Sequence, residues 1–262
     1  MPGGLTDQYS DAVSEPVNFR EVLRSLAREQ SSITAVFSDF CRITACCLAM
    51  QTREDEYFQA IKGYSKEEVN RLARAMAGLI DEMHGNPFAD VLGPFYTETI
   101  ASADQQARGE FYTPGSVSTM MARMALDPEQ IKEEGRPVTV CDPCCGSGGM
   151  VLACAQPLTP DHIDLLRVTL QDINPVACDM AYINTTLWGI PAEVILGNSL
   201  TVEVVNRWTN IHWHRVGEPQ RKQGLRMLKV IKEVCEPSKP ETPAQRRPAP
   251  PDQGTGSQLD LF

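Results

Sequence analysis

The stretch PVTVCDPCCGSGGM, from Pro137 to Met150, constrains the fold more than any other. A short β-branched run ends at an acid, Asp142, and passes at once into a glycine-rich turn. β-branched residues suit a pleated strand. Glycines let the backbone turn sharply and come close to a ligand. The residues from Gly149 to Ala155 then read as a helix, and a helix start offers N–H groups with no partner inside the helix. Two more strand patterns follow, LLRVTLQD over 165–172 and AEVILGN over 192–198, with a helical pattern from Pro175 to Trp188 between them. Strands alternating with helices predict βαβ units and a parallel sheet.

The sequence ahead of this region has a different period. Leu23, Leu26, Ile33, Phe37 and Phe40 recur at helical steps between Val17 and Gln51. Ser65 and Glu68 form a capping box that opens a second helix. The predicted organisation is a loose segment over 1–16, a helical region over 17–105 and an α/β domain over 106–235. Residues 236–262 carry six prolines and end in QLDLF, a composition that gives an extended linker rather than a core. The fold class is α/β, with a reduced Rossmann-like sheet and a disordered tail.

The loop holds Cys141, Cys144 and Cys145, but one C-x-x-C with no second ligand pair is not a zinc pattern. No metal is expected. Cys141 reads as a buried strand residue, and Cys144 and Cys145 as small loop residues. No apolar run reaches membrane-spanning length and the first residues do not form a signal peptide, so a cytoplasmic protein with reduced thiols is expected. The formal charge of −10 argues against a protein that coats DNA non-specifically. Between Asn206 and Lys232, however, seven Lys or Arg stand against Glu218 alone. That run reads equally as a phosphate-facing patch or a solvated helix face.

The spacing of the glycines is not that of a dinucleotide loop. An acid ahead of them suits a ligand with positive charge, and a second acid, Asp172, ends the next strand, where ribose hydroxyls are usually held. DPCCGSGGMVL resembles the D-P-x-C-G-S-G motif of S-adenosylmethionine-dependent DNA adenine-N6 methyltransferases, and in particular the modification subunits of type I restriction systems. GEFYTP (109–114) resembles the segment that closes over the cofactor in that family. LQDINPVACDMAYINTTLWGI (170–190) resembles its second-strand segment, LGNSL (196–200) its third-strand motif, and ADVLGPFYTE (89–98) its helical lead-in. The resemblance spans roughly residues 85–200.

It implies S-adenosylmethionine as cofactor and a role for each matching residue. Asp142, Cys144, Gly146 and Gly148 would cradle the methionine part. Asp172 would bind the ribose, Ile173 would pack on adenine and Asn198 would hydrogen-bond it. Phe111, Tyr112, Thr113 and Pro114 would form the wall above. The plainer alternatives are helix caps for the two acids and core packing for Phe111 and Tyr112.

The family's [DNS]-P-P-[YFW] tetrapeptide, which holds the target amino group and stacks the flipped base, is not in the sequence. The nearest stretch is NIHW, with Asn210 and Trp213 as candidate catalytic residues. Three readings follow: an adenine-N6 methylase acting on DNA, an inactive methylase fold that binds or regulates in anti-restriction, or half of a split enzyme completed by a second methyltransferase or specificity subunit. The final peptide, Gln258, Leu259, Asp260, Leu261 and Phe262, resembles the motif by which bacterial proteins attach to the replication sliding clamp.

Overall fold

The computed structural model describes residues 17–29, 32–99, 112–158 and 161–213. The chain divides into two units, 1–218 and 219–262, and all described residues lie in the first. Phe111, the clamp-like peptide and most of the basic run fall outside the described residues.

Five helices come first: α1 (Phe19–Glu29), α2 (Ile33–Leu48), α3 (Glu54–Ile61), α4 (Lys66–Gly85) and α5 (Leu92–Thr99). The single helical pattern expected over 17–51 is thus two helices. Ser32 caps the second, its hydroxyl accepting from the Ala35 N–H at 3.1 Å. The capping box at Ser65 is present in both directions, Ser65 N–H to Glu68 at 2.7 Å and Glu68 N–H to Ser65 at 3.3 Å. Phe19, Phe37, Phe40 and Phe95 fill the centre of this helical layer. Phe95 meets Phe19 and Phe37 edge-on at 5.5 and 5.3 Å, a favoured aromatic arrangement.

Helices α6 (Gly115–Ala125) and α7 (Pro128–Glu134) lead into β1 (Val138–Asp142). Then come α8 (Gly149–Ala155), a short 3₁₀ turn, β2 (Leu166–Asp172), α9 (Pro175–Leu187), β3 (Ala192–Asn198) and β4 (Glu203–Thr209). The four strands pair in the order β1-β2-β3-β4, the first three parallel and the last antiparallel. Pro175 opens α9 and Asn174 caps it, accepting from the Val176 N–H at 2.9 Å. α9 is almost wholly buried between the sheet and α2, so the helical layer and the sheet share one continuous core. Among the described residues no helix is long and apolar enough to cross a membrane.

The parallel register aligns Val140, Val168 and Ala192 on one face of the sheet, with Leu170 and Val194 beside them. α8 and α9 cover that face. The opposite face carries Thr139, Cys141, Arg167, Thr169 and Glu193, exposed or half-buried. Cys141, expected to be buried, is exposed. It projects from an edge strand on the face that the described residues leave uncovered.

Candidate functional site

The three parallel strands end together at Asp142, Asp172 and Asn198, so their carboxyl ends form one shelf. The glycine loop crosses it. Cys145 N–H donates to Gln171 O at 2.9 Å, which carries pairing beyond the strand. One Asp172 carboxylate oxygen accepts the Gly146 N–H at 2.9 Å, and the other accepts the Asn174 N–H at 2.9 Å. The second acid therefore clamps the loop that follows the first. Asp142 accepts the Cys144 N–H at 3.2 Å. Burial holds its carboxyl above the usual range, and the nearby Asp172 charge pushes the same way.

Gly146 has φ +54°, and a Cβ there would lie 3.0 Å from the Tyr112 ring. Only glycine suits both the backbone and the space. Tyr112 is half-buried and meets Tyr96 edge-on at 5.5 Å. Thr113 and Pro114 continue at the surface, where Pro114 precedes α6. Gly148, φ +86°, opens α8. Cys144 is exposed, its Sγ 3.9 Å from Ser199 Oγ of the β3–β4 turn. Ile173 is 69% exposed at the shelf, an apolar surface available to a flat ligand. Asn198 spends its side-chain oxygen on the Leu200 and Thr201 N–H groups, at 2.9 and 3.3 Å. Its amide NH₂ takes no part in these two bonds.

The structure thus brings Asp142, Cys144, Gly146, Gly148, Asp172, Ile173 and Asn198 to one edge, with Tyr112 against Gly146 and with Thr113 and Pro114 lining the cavity beside the loop. It does not bring Asn210 and Trp213 there. Asn210 follows β4, which runs antiparallel to β3, so it lies at the opposite end of the sheet. It is 1% exposed. Its side chain accepts from the Ala192 and Trp213 N–H groups, both at 3.1 Å, and donates to Ile190 O at 2.8 Å. These bonds make it the joint between β3 and β4. Trp213 lies under the Arg167 guanidinium, 3.8 Å from the ring centre.

Sequence reasoning missed what supports the loop from below. Ser147 Oγ donates to Asp90, which also accepts from Gly93 N–H at 3.0 Å and Asn184 Nδ2 at 3.3 Å. Asn184 Nδ2 donates to Ser147 O at 2.9 Å as well. A Cβ on Gly93 would meet the Asp90 carboxylate at 2.2 Å and Ser147 Oγ at 2.6 Å, so any larger residue there would displace this hydrogen-bonded pair. Asn174 Nδ2 donates to the Tyr96 hydroxyl at 3.0 Å. Asp90 and Tyr96 lie in ADVLGPFYTE, a stretch whose resemblance to a helical lead-in gives neither residue a role. A cavity of about 590 Å³ opens beside the loop, lined by Asp90, Glu98, Tyr112, Pro114 and Ser118 among others. Among the described residues the Ser118 hydroxyl there is buried without a hydrogen-bond partner.

Residues 88–215 match the family described as N-6 DNA Methylase. The methylase subunit of the type I restriction enzyme MpnII of Mycoplasma pneumoniae is 29% identical over 114 residues, 42% of this chain and 20% of that protein. The chain therefore spans about a fifth of the length of that curated relative. Among solved structures, a class I S-adenosylmethionine-dependent methyltransferase of Listeria monocytogenes overlaps 72% of this chain and 55% of its own, at a TM-score of 0.41 and 11% identity. The type I restriction-modification methyltransferase subunit of Streptococcus thermophilus overlaps 73% and 45%, at 0.31 and 17%. Both scores are low.

Proposed function

We propose that the shelf formed by β1, β2 and β3 binds S-adenosylmethionine and that the protein serves adenine-N6 methylation of DNA. The observation that carries this reading is the reciprocal clamp. Asp172 fixes the Gly146 N–H, and Tyr112 packs on the same glycine, within a stretch matched to N-6 DNA methylases. The donor set suits the ligand. When bound, S-adenosylmethionine supplies a methyl group on a sulfonium, with an ammonium at one end and an adenosine at the other. Asp142, a carboxylate at the loop, suits the cationic end. Asp172 retains lone pairs for ribose hydroxyls, Ile173 offers the apolar face for adenine, and Asn198 offers an amide donor. The orphaned Ser118 hydroxyl lines the cavity on the Tyr112 side.

A second reading is favoured by the surroundings of Asn210. A group that orients a target amine must be open to it, and Asn210 is sealed among backbone partners. The chain alone is then a cofactor-binding protein, either regulatory or completed by a second methyltransferase or specificity subunit. The expected result is saturable binding of S-adenosylmethionine by calorimetry, with no labelled methyl transferred to unmethylated DNA by the purified chain. Incorporation at adenine N6 overturns the second reading. No binding overturns both.

The C-terminal peptide Gln258–Phe262 supports a tether to the sliding clamp. Three apolar side chains on such a peptide suit a partner groove. Residues 236–257, if extended at about 3.1 Å per residue, reach on the order of 60 Å. Tethering raises local concentration on DNA without high intrinsic affinity, which suits a chain of net charge −10. Removing residues 258–262 is expected to abolish co-elution with purified clamp. Undiminished co-elution of the shortened protein would refute the tether.

A further inference from the structure

The run Gly146-Ser147-Gly148-Gly149 carries a single side chain, that of Ser147. Gly146 and Gly148 on either side have φ of +54° and +86°. Glycine enters such backbone readily and leaves it as readily, so the glycines do not select the shape of the loop. What holds Ser147 selects it.

Ser147 is 2% exposed and is held at two points. Its hydroxyl donates to Asp90 Oδ2, and its carbonyl accepts from Asn184 Nδ2 at 2.9 Å. Asn184, fully buried on α9, also donates to Asp90 Oδ1 at 3.3 Å. The three residues thus close a ring around the centre of the loop, on top of the Asp172 bond to Gly146 N–H.

Asp90 stands just ahead of α5, and its Oδ1 accepts the Gly93 N–H at 3.0 Å. That is the work of a helix cap, and it needs one oxygen. The other oxygen goes to the loop. Gly93 leaves room for that bond, since a Cβ there would collide with both of its partners. One turn on, the Tyr96 hydroxyl accepts from Asn174 Nδ2 at 3.0 Å, and its ring meets Tyr112, which packs on Gly146. Between them Phe95 is locked into the core of the helical layer against Phe19 and Phe37. The start of α5 is therefore a fixed post from which side chains reach the loop.

We propose that Asp90 is a positioning residue for the ligand site: through Ser147 it holds the glycine loop in the shape that receives the methionine end of S-adenosylmethionine. The inference rests on the reading of the shelf as a site for that cofactor. A loop already in its binding shape loses less freedom when the ligand arrives. Asp90 acts on the part of the ligand that the loop cradles, whereas the nucleoside is left to Asp172, Ile173 and Asn198. Its loss should consequently divide the two halves of the ligand.

Calorimetry with S-adenosylmethionine and with adenosine, on the unmodified chain and its variants, tests this. Asp90→Ala and Ser147→Ala are each expected to weaken S-adenosylmethionine about tenfold, the scale of one hydrogen bond to a charged group, and to change adenosine by less than about twofold. The double variant is expected to bind no worse than either single one, because both remove the same bond. Asp90→Asn is expected to bind within about twofold of the unmodified protein. Its oxygen keeps the Gly93 and Asn184 donors, and its NH₂ donates to the Ser147 hydroxyl, which accepts as well as it donates. A role confined to capping α5 would lower the unfolding midpoint and leave the ratio of the two affinities unmoved. Ser147→Ala leaves the cap intact and decides the matter should Asp90→Ala not fold. No binding of S-adenosylmethionine by the unmodified protein overturns the functional reading and this proposal with it. Binding by the unmodified protein that Ser147→Ala leaves unchanged, or an equal loss of both ligands, overturns this proposal alone.

Discussion

Asp179→Ala is expected to lower unfolding stability by about 3–5 kcal/mol, the usual cost of stranding one partner of a buried ion pair. Asp179 lies on α9 with its side chain 2% exposed. It accepts from Arg42 Nε at 2.6 Å and Arg53 Nη2 at 2.8 Å. Arg53, with its side chain 1% exposed, also reaches both oxygens of Glu56 at 3.1 and 2.7 Å. Its guanidinium lies 4.3 Å from the Trp208 ring centre, and the Trp208 indole donates to Glu56 at 2.9 Å. One network thus fastens the α2–α3 corner to α9 and β4. Burial alone would lower the Arg53 pKa, but Glu56 and Asp179 reverse this and hold it above the usual arginine value. Without Asp179 the guanidinium stays buried with too little charge to face it, and among the described residues its Nη1 already lacks a partner. Replacing the pair with apolar residues, Asp179→Leu with Arg53→Met, is expected to destabilise less than Asp179→Ala alone, since no charge is then stranded. Chemical denaturation gives both values. A drop below about 1 kcal/mol for Asp179→Ala, ordinary for a surface pair, would mean that the network is solvated and not a clamp.

This network marks where the sequence stops being legible. β1, β2 and β3 each announce themselves by a β-branched run that ends at Asp142, Asp172 or Asn198 and a turn. The glycine loop is equally plain, because φ +54° at Gly146 needs the residue that is there. β4 does not stand out from the basic run around it. Its strand character comes from pairing with β3 across Gly197, where a Cβ would lie 2.0 Å from Glu203 O. Arg207, one of the cations of that run, is paired with Glu193 at 2.9 Å. Strand order is also invisible in one dimension, so nothing in PVTVCD says that Cys141 sits on an edge. Asn210 is the clearest case. A polar residue ahead of an aromatic looks like a degenerate catalytic motif, and only three-dimensional pairing reveals it as the peg between β3 and β4. Asp90 and Tyr96 reach the loop from far up the chain, and no local spacing predicts such contacts.

Asp172→Ala is expected to weaken S-adenosylmethionine binding at least tenfold, about 1.4 kcal/mol or more. The side chain has two jobs at the shelf. Its carboxylate holds the Gly146 and Asn174 N–H groups at 2.9 Å each, and it faces the position proposed for the ribose. Alanine removes the hydrogen bonds to the ligand and releases the loop at once. Asp172→Asn keeps one oxygen to accept one of the two N–H groups but sets its NH₂ against the other, so it loses the negative charge and half of the hold on the loop. An intermediate weakening is expected for it. Adenosine alone provides the second readout. Asp172→Ala is expected to weaken adenosine by a similar factor, because the proposal gives this carboxylate to the nucleoside. Asp142→Asn is expected to leave adenosine nearly unchanged while weakening the whole cofactor, because the proposal gives Asp142 to the cationic end. Calorimetry on the two ligands and three variants reads all of this. Unchanged affinity in Asp172→Ala would move the site away from the β1–β2 edge.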